Sequence, residues 1–441
     1  MSSEAAGAPP LPAPAPAGAP QPFAPAPAGK ATLYRGATVF DGTGSPARPG
    51  TTLVVDGERV VRIAPDAEVA DADHPGAAVV DLAGRHVIPG LIDSHQHIAT
   101  PPDRPLAEAV LRRDLLGGVT ATRDMADDLR QVADLARAAR VGEIAAPDIH
   151  YAALMAGPTF FDDPRTWQVA QGATPGETPW MQAVTPETDL PLAVAMARGT
   201  FATAIKVYAN LPGDLVAAIT AEAHRQGVPV WAHAAVFPAT PAEVIGAGVD
   251  SVSHVTLLVH QAAGRPLTTY RDKPPVDHAR FASGTDPVMD GLFADMRRRG
   301  TILDATAGMW AYAAEEADDA DAAAAARRNS ELAAALTAQA YRAGVALATG
   351  TDRDPDAADP WPPLHHELAF LVRECGIPAE QVLHSATLVG ARSMGAEAER
   401  GSLEAGKLAD FVVLAEDPLT DITRLRTIEY VVKRGRRHDR P

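Results

Sequence analysis

A single cysteine, Cys375, in 441 residues excludes an intramolecular disulfide framework. Basic charge is also short: 39 lysines and arginines stand against 56 aspartates and glutamates, a net charge of −17. Broad affinity for nucleic acid or for an anionic membrane needs a basic face, so neither is expected as a partner. No window approaches the roughly 20 apolar residues of a membrane span. The first residues do not read as a secretory leader, because Glu4 replaces a basic start and prolines interrupt any apolar stretch. A cytoplasmic protein acting on a small molecule is the expectation. The scarcest charged residue is lysine: Lys30, Lys206, Lys273, Lys407 and Lys433 are all there are. A lysine in the middle of an apolar strand is therefore a conspicuous choice in this chain.

What is present is enough apolar residue, 46%, to bury a large core. Residues 1–29 are nearly all alanine and proline, with nine prolines. They have too little large apolar surface to offset their ordering entropy, so a disordered arm is expected there. Residues 30–86 carry short β-like runs separated by Asp-Gly, Gly and Pro turns. Residues 396–437 hold two more such runs around Val412 and Val431. Two β-rich ends flanking a different middle predict one small β-sandwich domain built from both terminal regions.

The middle, residues 87–395, alternates short apolar runs with amphipathic stretches. Strands are expected at 87–95, 119–123, 148–153, 204–208, 229–233, 251–254, 301–304 and 345–351. Helical patterns such as 127–140, 212–226 and 329–343 lie between them, often closed by a glycine. Eight such units over some 300 residues match a (β/α)₈ TIM barrel. An open doubly wound sheet is the rival, but a Gly-rich phosphate turn after the first strand is missing.

The chemically distinctive residues sit at the C-terminal ends of these strands. His95 and His97 end the first, Lys206 lies in the fourth, His233 ends the fifth, His254 the sixth, and Asp352 follows the eighth. Barrels place their sites on that face. His95 and His97 are two apart in an extended segment, so period-2 geometry points both rings one way, toward one ion. Lys206 shares a strand face with Ala204 and Tyr208. A buried, unpaired ammonium is costly or loses its proton. One reading pairs Lys206 with a carboxylate such as Asp352. The other makes it a neutral amine that takes up carbon dioxide, giving a two-oxygen carbamate able to bridge two cations. His233 and His254 could each be simple hydrogen-bonded strand-end histidines, and Asp352 a helix cap. Their common order along the chain favours a joint functional role.

This order resembles the amidohydrolase superfamily of metal-dependent hydrolases, over about residues 31–437. The likeness rests on the run from Val87 through His97, Gly118 to Asp124, Lys206, His233, His254, Gly350-Thr351-Asp352, and the closing Gly401 to Asp410. It is strongest to the imidazolonepropionase-like and Xaa-Pro dipeptidase-like groups. The resemblance implies two divalent ions, most often zinc. One would be held by His95, His97 and Asp352 and the other by His233 and His254, with carbamylated Lys206 and a hydroxide between them. Asp352 would act as the proton shuttle. Mononuclear deaminases of the superfamily carry a glutamate near the fifth-strand histidine; here His233 is followed by Ala-Ala-Val-Phe-Pro, with no acid. Relatives often assemble, so a homo-oligomer accords with the resemblance.

Long connections after the third, sixth and seventh strands should shape the pocket. Phe160 and Trp310 give it apolar walls, and Tyr208 can donate to a substrate oxygen. Arg123, Arg353 and His278 are candidates to hold a substrate carboxylate. The expected reaction is hydrolysis of an amide bond in a dipeptide, N-acyl amino acid, cyclic amide or amide-linked xenobiotic. Hydrolysis of a lactone, ester or phosphoester by the same centre is the alternative. A non-catalytic scaffold is disfavoured, because every ligand position is filled.

Overall fold

The computed structural model describes residue 26 and residues 28–440. The expected disordered arm, residues 1–29, falls almost wholly outside the described residues.

Eight parallel strands follow one another along the chain. They are β1 (Leu91–Gln96), β2 (Val119–Asp124), β3 (Asp148–Ala156), β4 (Ala204–Val207), β5 (Val230–His233), β6 (Ser251–Ser253), β7 (Ile302–Asp304) and β8 (Leu347–Ala348). Each pairs in parallel with the next. Backbone bonds close the ring between β8 and β1: Ser94 N–H donates to Thr349 O at 2.7 Å, and Asp352 N–H to His95 O at 2.9 Å. The result is the expected barrel, nearly closed. Several helices between the strands start on aspartate caps. Asp128 caps Leu129–Arg140 and Asp286 caps Pro287–Arg299, each accepting backbone N–H bonds that the first turn leaves unpaired.

The terminal regions form one hydrogen-bonded sheet of eight strands. Its central run is Ile428–Lys433, Phe411–Leu414, His86–Pro89, Thr32–Val39 and Arg48–Asp56. Residues from both ends of the chain pack a single core, in which the rings of Tyr34 and Phe411 meet edge to face at 5.0 Å.

The first expected strand, 87–95, is two strands in the structure. Val87 pairs with Val39 and Val413 in the terminal sheet, and the barrel begins only at Leu91. Gly90 makes the break. A Cβ there would lie 2.1 Å from Thr120 Oγ1, so only glycine lets the chain cross from sheet to barrel at this point.

Candidate metal centre

His95 and His97 leave the end of β1 with their rings 5.7 Å apart. Each is gripped from behind by a carboxylate. His95 Nδ1 lies 2.7 Å from Asp304 Oδ2, and His97 Nδ1 lies 2.7 Å from Asp127 Oδ1. An ionised carboxylate only accepts, so both Nδ1 atoms carry a proton and both Nε2 atoms face forward. Asp352 Oδ1 meets them there, 3.3 Å from His95 Nε2 and 3.4 Å from His97 Nε2. These three side chains bring their donor atoms within 4.8 Å of one another, a metal-sized group. Burial works against the charge on Asp352, but His95, His97 and His254 hold its carboxyl well below the usual range.

Asp352 reaches this position because the β8 connection is pinned to β1. Thr351 Oγ1 donates to Asp93 Oδ2 at 2.8 Å. Asp352 does not cap a helix; the next one is Leu364–Arg373. Its φ of 47° and the φ of 70° at His254 are left-handed conformations that neither residue type adopts freely. Strained backbone of this kind gathers at sites where side-chain direction matters.

His254 stands between two halves of the cluster, its ring 4.9 Å from His95 and 4.8 Å from His233. Its Nδ1 is 3.0 Å from Thr306 Oγ1, whose own hydroxyl donates to Ala305 O at 2.8 Å. Thr306 therefore accepts from Nδ1, and His254 Nε2 keeps a free lone pair. His233 Nδ1 is buried without a hydrogen-bond partner. Burial, reinforced by Lys206, pushes His233 well below its ordinary pKa, so the ring is neutral with a lone pair to offer. An orphaned, buried imidazole nitrogen is the donor a metal ion would satisfy.

Lys206 is 0% exposed, in the middle of β4. Its Nζ has one hydrogen-bond partner, Ser253 Oγ at 3.4 Å, and no ion pair among the described residues. The alternative of a Lys206–Asp352 salt bridge is thus not what the structure forms. Burial lowers the amine to about 7, against the pull of Asp304 and Asp352. These donors fit a divalent cation: imidazole nitrogens, a carboxylate, and an amine able to shed its proton.

A cavity of about 390 Å³ contains all six of these side chains in its lining. Tyr208, Phe160 and Trp310 line it as expected. Tyr208 packs 4.0 Å from the His233 ring and 4.7 Å from Phe160, centroid to centroid. The three candidate carboxylate holders do not. Arg123 is 0% exposed inside the barrel, its guanidinium spent on Ser94 O, Ser251 Oγ and Asp304 Oδ2 and stacked on Trp231. Its strand position points it inward, beneath the histidines, where it balances Asp304. Arg353 turns away onto the Tyr312 ring and Glu316. His278 faces Arg328 O outside the cavity. The lining instead includes Arg165, Tyr270 and Lys273 from the long connections. Asp304 and Asp127 were also missed as histidine partners. Their signal was an acid at, or just past, the C-terminal end of a barrel strand.

A parallel eight-stranded barrel with a His/Asp cluster at its C-terminal face belongs to the class of barrel proteins that carry their active site at that face. Comparison with known proteins narrows the class. The Amidohydrolase family model matches residues 86–437, so the chain belongs to that family and is a hydrolytic enzyme acting on carbon–nitrogen bonds. It is 26% identical over 419 residues to an imidazolonepropionase from Symbiobacterium thermophilum, covering 88% of this chain and 90% of that protein. It superposes on a Xaa-Pro dipeptidase crystallised with methionine in its active site, with a TM-score of 0.73 and 23% identity over 93% of this chain and 100% of the other. A prolidase described as putative, from Bifidobacterium longum, matches with a TM-score of 0.69 and 26% identity, over 94% and 96% of the two chains. Among the described residues no helix is long and apolar enough to cross a membrane.

Proposed function

We propose that this enzyme is a binuclear metal-dependent hydrolase that cleaves an amide bond in a small molecule, such as a dipeptide, an N-acyl amino acid, a cyclic amide or an amide-linked xenobiotic. One observation carries the reading: His95, His97, Lys206, His233, His254 and Asp352, from five different strand ends, line a single cavity. The dipeptidase among its structural neighbours supports the dipeptide end of this range. In this reading residues 30–89 and 396–437 form the sheet domain and residues 91–395 the catalytic barrel, so the expected boundary at 86/87 moves past the strand His86–Pro89.

His95, His97 and Asp352 would hold one ion, and His233 and His254 the other, with zinc suited to the nitrogen and oxygen donors. The neutral Lys206 amine adds to carbon dioxide, forming an N–C bond and releasing one proton. The resulting carbamate would offer the ions two oxygens that share one negative charge. Divalent ions at this site, when bound, make a water nucleophilic at neutral pH and polarise the scissile carbonyl. The protein supplies the remaining parts. Asp352, held ionised, takes the proton of the attacking water and passes it to the departing nitrogen. Burial keeps the Tyr208 phenol protonated, so it donates to the substrate oxygen on which negative charge develops. Phe160 and Trp310 exclude water from the reacting bond.

Elemental analysis of the purified protein is the first test, with about two divalent ions per chain expected. Lys206→Ala should lose much of this metal together with activity, because the bridging anion leaves with the side chain. Full metal and full rate in that variant refute the carbamate. A metal-free protein that hydrolyses none of a panel of dipeptides, N-acyl amino acids and lactones after zinc or cobalt loading overturns the reading as a whole.

A further inference from the structure

Charge is the feature of the cavity that the proposed chemistry leaves unused. The chain carries a net −17, yet two cations, Arg165 and Lys273, line the cavity. A third, Arg271, stands 3.8 Å from Asp163 Oδ2. Asp163 is the carboxylate paired with these cations, and neighbouring Asp272 is taken up by Arg265, so this part of the rim keeps an excess of positive charge. The other acids of the lining are Asp127 after β2, and Asp352 and Asp354 after β8; Asp352 faces His95 and His97, and Asp127 holds His97.

Both cations are held in place. Asp163 caps the helix Pro164–Val169 and grips Arg165 by Nε at 3.1 Å and Nη2 at 2.8 Å, which leaves Nη1 as an unused donor. Lys273 has no ion pair or hydrogen bond among the described residues; its Nζ rests 3.7 Å above the centroid of the Tyr270 ring. The Tyr270 ring also stacks on His233 at 5.4 Å and 28°, and meets Tyr208 and Phe237 edge to face. Tyr270 is itself anchored, its N–H donating to Asn210 Oδ1 at 2.9 Å. One aromatic ring thus touches both a cluster histidine and an ammonium that has no counter-ion among the described residues. Burial lowers the Lys273 amine, and the nearby Arg165 charge lowers it further. An anion placed between the two would relieve both effects.

We propose that Lys273 and Arg165 form a carboxylate site that selects amide substrates with a free carboxylate close to the scissile bond. The substrate class is then acyl amino acids and dipeptides, rather than neutral cyclic amides. The inference rests on the hydrolase reading above and sharpens its substrate range. Lys273 supplies a point charge and Arg165 a directed N–H, a pairing suited to one carboxylate held at its edge and its face.

The test uses metal-loaded enzyme and matched substrates: N-acetyl amino acids, and the same compounds with the carboxylate replaced by hydroxymethyl. The wild type should prefer the carboxylate member by roughly tenfold or more in kcat/KM. Lys273→Met should collapse that ratio toward one through a higher KM, and Lys273→Arg should restore it. Equal rates on the two members, or an unchanged KM in Lys273→Met, overturn the carboxylate site while leaving the hydrolase reading intact. If neither member is hydrolysed, calorimetric binding of the N-acetyl amino acids still decides. Affinity that falls about tenfold in Lys273→Met supports the site even as the hydrolase reading fails, and affinity that is absent or unchanged removes it.

Discussion

Asp304 does three things at once, and each depends on its being a carboxylate. It holds His95 Nδ1–H at 2.7 Å, accepts from Ser253 Oγ at 2.9 Å and balances buried Arg123 at 3.3 Å. Replacing it with asparagine removes the acceptor charge and lets an amide N–H face the histidine, so His95 can switch tautomer. Asp304→Asn should weaken metal binding by roughly 10- to 100-fold in a chelator competition, the usual cost of losing a ligand's hydrogen-bonded partner. An unchanged affinity would mean that His95 is not a ligand. Asp352→Asn differs in kind. The amide can still coordinate through its oxygen but cannot take up a proton at neutral pH. Much of the metal should stay while kcat falls by roughly 10²- to 10⁴-fold. A near-normal kcat would remove Asp352 from proton transfer.

Strand ends decide whether these residues meet. β8 is only Leu347–Ala348, and β6 stops at Ser253, one residue before His254. Left-handed backbone at His254 and Asp352 redirects the chain while their N–H groups still bond to Asp304 O and His95 O. Gly350 is the hinge on the β8 side. A Cβ there would fall 2.2 Å from Asp304 Oδ1 and 2.5 Å from His95 Cβ, and both neighbours are buried. Gly350→Ala must displace β8, β1 or the carboxylate behind His95. Overpacking of this kind costs about 1–3 kcal/mol, so a lower melting temperature is expected. Metal content should fall with it, since His95, a proposed ligand, and the carboxylate behind it are the crowded groups. A variant that melts earlier yet holds its full metal would show that the strain relaxes away from the site.

Across the whole molecule, one buried carboxylate joins barrel to sheet. Asp148, the first residue of β3, meets Lys433 Nζ at 2.8 Å and Arg434 Nη2 at 2.6 Å from the terminal sheet, and also Arg400. Burial opposes its charge, but Lys433, Arg400 and Arg434 hold its pKa well below the ordinary value. A depressed carboxylate contributes stability above its unfolded pKa of about 3.9, and that contribution is lost as pH falls through the lower folded value. Asp148→Asn leaves three buried cations short of a partner and should cost about 3–5 kcal/mol at neutral pH. The gap in melting temperature between wild type and variant should narrow as the buffer is taken below about pH 4. A gap independent of pH would show that packing, not charge, holds the two parts together.

Linear sequence was sufficient for the βα rhythm, the two β-rich ends and the six residues that meet at the cavity. Each of these follows from local rules: apolar period, turn residues, and polar side chains at the C-terminal ends of strands. Tertiary structure decided which other side chains face that cavity. Arg123 read as a substrate holder, but a strand position alone does not say how deep in the barrel a long side chain ends. Arg165 and Lys273 lie in connections whose sequence carries no period, so their approach to the cavity depends on how those connections pack. Asp304 and Asp127 are ordinary acids in the sequence, and only the closed ring of strands brings them behind histidines 209 and 30 residues away. Local patterning sets where a side chain sits on its own element; what it touches depends on long-range closure of the barrel, which no local pattern encodes.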